Sequence, residues 1–589
     1  MRNYALDFET YYDAVCSVVT LGIHHYTRHT EFDAYLLTVC GDDGFEYCGR
    51  PEDLDWSLIS GEGTRWVHHN ASFDAHILYW LRETGKIPVT AEPDEWRCTA
   101  DMCAYFGYPR SLAGAVGYLF GLKPDKSVRD KMKNRRFEDL NAEDNLELLR
   151  YAIDDARLCL KLWTELSPRY PWAEQVLSTH TAMMGWDGLP MDVDGLDAGI
   201  SHVGDLIWNA EQNIPWREDS PTLSPKALAT ECRNVGIEPP KSLAKDSEEC
   251  AAWEDKYGEQ YPWINAMRTY RRCNALKKKM ETMRIRIKDD GRMAFGLKFF
   301  GGHTGRWSGD SGANLQNLPR GEMFGVNLRN LIRCKPGRTF VVCDLAQIEP
   351  RVLAWLAGDE KLLESLRNGF GVYTAFARAN NLWQGETDSL KKDDAALYQF
   401  CKASVLGLGY MVGPNKFTLM APQLTGGAFT PTLAEAETIV AEYRRRNTAV
   451  TGLWKRLENV IRRSAMKDLT IELPSGRTMT WRKVTSIGGY TCETMRGGRY
   501  VRSKVYAGMI TENITQATAR DVLAWQMLEL LKLGHDIVLH VHDEIVIECD
   551  ESAAEAVKAT MIEIMSTTPP WLPGLVLGAE ADITRHYTK

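Results

Sequence analysis

Two apolar runs of β type end abruptly in acids. Thr339-Phe340-Val341-Val342-Cys343 leads into Asp344, and Ile537-Val538-Leu539-His540-Val541-His542 leads into Asp543-Glu544. Strands normally end in turn residues, so a carboxylate at each tip is informative. A third strand is predicted at the N-terminus, where alternation sets Asp7 and Glu9 on one face. Near residue 66 the short apolar Trp66-Val67 gives way to a polar loop and then to a helix carrying Asp74. From Leu148 to Leu158 the apolar positions recur at helical spacing, which puts Tyr151 and Asp155 one turn apart on one face.

These patterns predict two acidic sites. Asp344 and Asp543, brought side by side, would offer the oxygen ligands that hard divalent cations require. Two cations about 3.5–4 Å apart can clamp the attacking and leaving oxygens of a phosphoryl transfer. Asp7, Glu9, Asp74 and Asp155, with the Tyr151 phenol, would form a second such set within the first 165 residues.

Composition adds bounds. A chain of 589 residues divides into several domains. With 44% hydrophobic and 25% charged residues it reads as soluble and globular. No window approaches the roughly 18 unbroken apolar residues of a membrane span. The N-terminus reaches a charge too early for a signal peptide, so a cytoplasmic location is expected. The 14 cysteines lack zinc-site spacing and fit reduced core residues. The net charge of −9 speaks against nucleic acid, but its distribution does not. Bases dominate from Arg268 to Lys298, and Arg444-Arg445-Arg446 forms a second run. Either could follow a phosphate backbone or be a solvated helix face.

Asp7-Phe8-Glu9, Asn70-Ala71-Ser72-Phe73-Asp74 and Tyr151-x-x-x-Asp155 resemble the three motifs of the DnaQ-like 3′–5′ proofreading exonucleases. The rest of the chain resembles the family A DNA polymerases, those like bacterial DNA polymerase I, and especially their bacteriophage members. Asp344-Leu345-Ala346-Gln347-Ile348-Glu349-Pro350-Arg351 is similar to their motif A, and His542-Asp543-Glu544 to motif C. Thr304-Gly305-Arg306, Asn314 to Pro319, Lys402-x7-Tyr410 and Glu512 to Ala517 match further blocks in the family's order.

The resemblance implies roles. Asp344 and Asp543 would bind two magnesium ions, with manganese acceptable to the same oxygen ligands; Glu544 would support them. Lys402 would meet the triphosphate. Glu349 would block a ribose 2′-hydroxyl, although an early-helix acid is also favoured by the helix dipole. Arg306 and Gln516 would donate to minor-groove acceptors. His542 would lie by the primer terminus and Tyr410 near the templating base. In the N-terminal set Asp7, Glu9, Asp74 and Asp155 would bind two cations and Tyr151 would orient water. Two departures stand in the fingers helix: Tyr398 where the family usually has arginine, and Leu406 where cellular members carry an aromatic. Lys391 and Lys392 are candidate replacements for the missing cation, and an altered nucleotide pocket is expected.

The implied architecture is a multidomain α/β chain. An RNase H-like exonuclease domain with a mixed sheet (1–165) would precede a right-hand polymerase. The latter would comprise connector and thumb (166–330), palm (331–365 and 501–589) and fingers (366–500). The fingers are expected to be mainly helical, with a hairpin near 469–477. No 5′-nuclease domain is expected, because the exonuclease motif begins at residue 7. Primer–template DNA and dNTPs are the expected partners of a monomer, and any processivity factor is beyond what sequence shows. Three other readings are a nuclease whose second half only binds DNA, a single-subunit RNA polymerase, and a non-enzymatic clamp. The intact Asp344, Lys402, Glu349 and Asp543, together with the first acidic set, disfavour all three.

Overall fold

The computed structural model describes residues 1–124, 127–244, 247–310, 314–496 and 499–588. The N-terminal body is a five-stranded mixed sheet. Its strands are β1 (Arg2–Glu9), β2 (Leu36–Gly41), β3 (Glu46–Gly49), β4 (Gly61–His68) and β5 (Pro93–Cys98), in the order β3-β2-β1-β4-β5. β1 is antiparallel to β2 and parallel to β4. Alternation along β1 buries Leu6 and Phe8 and turns Asp7 and Glu9 the other way. Helices α1 (Ala71–Glu83) and α2 (Ala142–Leu166) flank the sheet. α2 buries the stripe Leu148, Ala152, Ala156, Cys159, Leu162 and Leu166, which leaves Tyr151 and Asp155 on a neighbouring face.

Helix α3 (Trp172–Asp187) joins this body to the rest. Its Glu174 forms a two-pronged ion pair with Arg520 at 2.6 and 2.8 Å. Arg520 is buried, and its guanidinium lies 4.4 Å from the Phe300 ring and 4.5 Å from that of Trp307. A buried guanidinium is tolerable only when paired in this way. Helices α4 (Val193–Gln212) and α5 (Pro262–Arg284) then pack along each other, with Gly199 allowing close approach of Met280. α5 carries much of the predicted basic stretch.

Strand β6 (Arg338–Leu345) runs into α6 (Ile348–Ala357). A helical region follows, including α7 (Ala395–Leu408), α8 (Leu433–Arg446) and α9 (Thr448–Arg463). Next comes a four-stranded antiparallel sheet of β7 (Leu469–Glu472), β8 (Thr478–Thr485), β9 (Thr491–Arg496) and β10 (Arg499–Lys504). The expected hairpin is its first pair, and the second pair exceeds the mainly helical expectation. Those last strands are mostly polar, so they carry little apolar alternation to betray them. Helix α10 (Ala507–Lys532), strands β11 (Ile537–Val541) and β12 (Glu544–Asp550), helix α11 (Ala554–Ser566) and strand β13 (Ala579–Thr584) complete the chain. β11, β12, β6 and β13 form one antiparallel sheet in that order, with α11 packed against it. Central position explains the unbroken apolar run of β6, whose residues 339–343 are all buried.

Candidate active sites

Register brings the two acidic tips together. Asp344 pairs with Glu544 across β6 and β12, and the Leu345 N–H donates to the carbonyl of Asp543 at 3.0 Å. His542 adopts φ 57° in the tight turn between β11 and β12, which turns Asp543 toward Asp344. Burial, and then the Asp344 charge, push the Asp543 carboxyl up to about 6. A cavity of ≈ 260 Å³ opens here, lined by Gln316, Arg320, Asp344, His542, Asp543 and Glu544. Two carboxylates on such a polar cavity suit magnesium, which keeps open positions for phosphate and water.

Sequence reasoning did not single out the brace beneath this turn. Buried Gln316 donates to the His540 carbonyl at 2.7 Å and accepts from the His542 N–H at 3.3 Å. Tyr587 and Arg329 stand beside buried Glu544, with the guanidinium 5.1 Å from the tyrosine ring. Gln316 lies in the Asn314–Pro319 stretch as one amide among three, with Asn314 and Asn317, and nothing local reveals a partner more than 200 residues away.

Several of the residues expected to face the nucleotide are engaged with one another. Arg306 is ion-paired with Glu349, and the Tyr410 hydroxyl donates to Glu349 at 3.4 Å. Gln516 donates to Glu512 at 3.4 Å. Burial, then Glu349 and Glu512, hold the Tyr410 phenol well above its usual range. Burial and the cations Arg306 and Arg320 lower His542. Lys402 and Leu406 lie half-buried on α7, one turn apart. Tyr398 packs edge-on against Tyr373 at 5.3 Å, and the Lys391 ammonium sits 6.0 Å from the Tyr398 ring. Of the second basic run, Arg445 and Arg446 are tied to Glu442.

The N-terminal set converges as well. Asp7 is raised well above the carboxylate range by burial and by Glu9, Asp74 and Asp155 in turn. Burial and then Asp155 push Glu9 up to about 8, with Arg129 opposing. Burial raises Asp74, opposed by His68 and the backbone N–H of Phe8. Tyr151 is raised by burial and by Asp155, to which it hydrogen-bonds. Among the described residues no three His, Cys, Asp or Glu form a finished metal cage. The mark of the cluster is therefore crowded negative charge on oxygen donors alone, which suits hard cations. A larger cavity of ≈ 420 Å³, between α1 and α3, is lined by none of the predicted site residues. Among the described residues no helix is long and apolar enough to cross a membrane.

Known proteins resemble this chain along its length. Residues 224–588 match the model of DNA polymerase family A. The DNA polymerase of Bacillus phage SP02 is 25% identical over 675 aligned positions, covering 100% of both chains. DNA polymerase I of Aquifex aeolicus is 24% identical, covering 87% of this chain and 85% of its own. The solved POL domain of Pol1 from M. smegmatis, in complex with DNA primer-template and dNTP, superposes with a TM-score of 0.66 at 18% identity. It covers 100% of this chain and 96% of its own, which shows the shared fold. With 365 of its residues inside the family model, the chain belongs to DNA polymerase family A.

Proposed function

We propose that this chain copies a DNA template from dNTPs at the Asp344–Asp543 site and removes 3′-terminal nucleotides at the Asp7–Glu9–Asp74–Asp155 cluster, in the service of phage genome replication. The observation that carries the reading is the register placing two distant acidic tips on one polar cavity. The phage relative and the primer–template in the solved neighbour support it. Residues 1–165 would form the exonuclease domain, 166–330 connector and thumb, 331–365 and 501–589 palm, and 366–500 fingers. The protein would act as a monomer in the host cytoplasm.

Each carboxylate set would hold two Mg²⁺ ions, which supply charge neutralisation and activate the attacking oxygen, whether primer hydroxyl or water. The chain's own residues do the positioning, the larger part of phosphoryl-transfer catalysis. Lys402 would neutralise the triphosphate and deliver a proton to departing pyrophosphate. Glu349, steadied by Tyr410, would close the space beside the sugar C2′. Arg306 and Gln516 would turn to minor-groove acceptors once duplex enters, and His542 would abut the primer end. Glu544 would hold the β12 end in place. At the other site Tyr151, bonded to Asp155, would orient the attacking water.

Primer extension and single-strand degradation by Asp344→Ala and Asp7→Ala variants test this. Asp344→Ala should stop synthesis and spare degradation, and Asp7→Ala should do the reverse. Loss of both activities in either variant would count against two independent sites.

A further inference from the structure

His68 closes β4, six residues before Asp74, and is fully buried. Its ring stacks on the Trp96 indole, with 5.2 Å between centroids and 16° between planes. The stack fixes the plane of the imidazole, and the strand fixes its root. Nδ1 then lies 3.4 Å from Oδ2 of Asp74. That is within reach, yet neither ring nitrogen completes a well-directed hydrogen bond. A buried polar group without a full partner is costly. Bonds that are long in a substrate-free site often tighten on loading. Asp74 also accepts from the backbone N–H of Phe8, so a second donor would fix the carboxylate from two directions.

We propose that His68 is a positioning residue, donating Nδ1–H to Asp74 and thereby fixing which oxygen of that carboxylate faces Asp7 and Glu9. Trp96 serves as its platform. This rests on the reading of the N-terminal cluster as a cation-dependent hydrolytic site. His68 itself touches neither the DNA nor the cations, and acts only through Asp74. Outer partners of this kind orient a ligand and sharpen its affinity for the cation.

The full chain carrying Asp344→Ala and Asp543→Ala removes the other acidic pair, so Mn²⁺ titration calorimetry then reads the N-terminal cluster. In that background His68→Phe keeps the stack but loses the donor, and His68→Gln keeps an N–H. We expect His68→Phe to weaken Mn²⁺ binding about 10- to 100-fold and His68→Gln to recover most of the loss. In the otherwise intact chain His68→Phe should slow single-strand degradation by a similar factor while primer extension stays at wild-type rate. Unchanged Mn²⁺ affinity in His68→Phe, beside a clear loss in Asp74→Ala, overturns the positioning role and spares the hydrolytic reading. Unchanged affinity in Asp74→Ala overturns that reading itself. A loss that His68→Gln fails to recover, or one that extends to primer extension, overturns the donor assignment.

Discussion

The N-terminal cluster crowds four carboxylates and a phenol around β1, α1 and α2, whereas the C-terminal sheet presents Asp344 and Asp543 on a cavity of ≈ 260 Å³. Glu9 rises to about 8 in the first site and Asp543 to about 6 in the second. On the proposed reading, the first would bring nearly all its own ligands, as would suit a substrate offering a single phosphodiester, and the second would leave positions open for a substrate that arrives with a triphosphate. The number of acids would then follow from how much negative charge the substrate itself contributes.

The largest expected effect separates the sites mechanically. Gln316→Ala removes the two Gln316 side-chain bonds to the β11–β12 turn, which should loosen the aim of Asp543. Synthesis should slow about 10²-fold, the scale of small misplacements in a reacting centre, while degradation is unaffected. Equal slowing of both activities would show that the brace serves overall stability instead.

Protons should separate the sites next. Below about pH 8 Glu9 holds a proton that competes with cations, whereas Asp543 does so only below about 6. With limiting Mg²⁺, the ratio of degradation to synthesis should therefore rise, on the order of tenfold, from pH 6.5 to 8.5. The stability sign is the opposite. Glu9 binds its proton more tightly folded than unfolded, so its contribution is full below about pH 4.5 and is lost as pH rises through about 8. Chelated protein should accordingly melt lower at pH 8.5 than at 6.5, and Mg²⁺ should restore more at the higher pH. A pH-independent ratio and melting point would remove the contrast.

The smallest effect concerns the proposed nucleotide pocket. Leu406→Phe should change selectivity between deoxy- and dideoxynucleotides a few-fold, of order 1 kcal/mol for a changed apolar contact. Identical single-nucleotide incorporation would mean that Leu406 only packs the helix.

Much of this was legible in the sequence because it is local. Alternation set Asp7 and Glu9 on one face, helical spacing joined Tyr151 to Asp155, and apolar runs marked β6 and β11. What escaped was pairing between distant residues. Gln316 bonds to a turn more than 200 positions on, and Arg520 finds Glu174 346 positions away. The sheet β7 to β10 was half missed because its last two strands are held by backbone pairing and polar side chains, such as Thr494 to Ser503 at 2.7 Å. His68 reads in the sequence as part of the polar stretch after Trp66-Val67, whereas the fold ends β4 on it and sets it between Trp96 and Asp74.

The Arg306–Glu349 pair carries a consequence for timing. The two side chains occupy each other, so on the proposed reading the acid that would screen sugars is held until the arginine has a better acceptor. DNA would have to arrive first and unlatch the screen, and a nucleotide entering early would meet a closed door. On that reading one ion pair would set an order of addition.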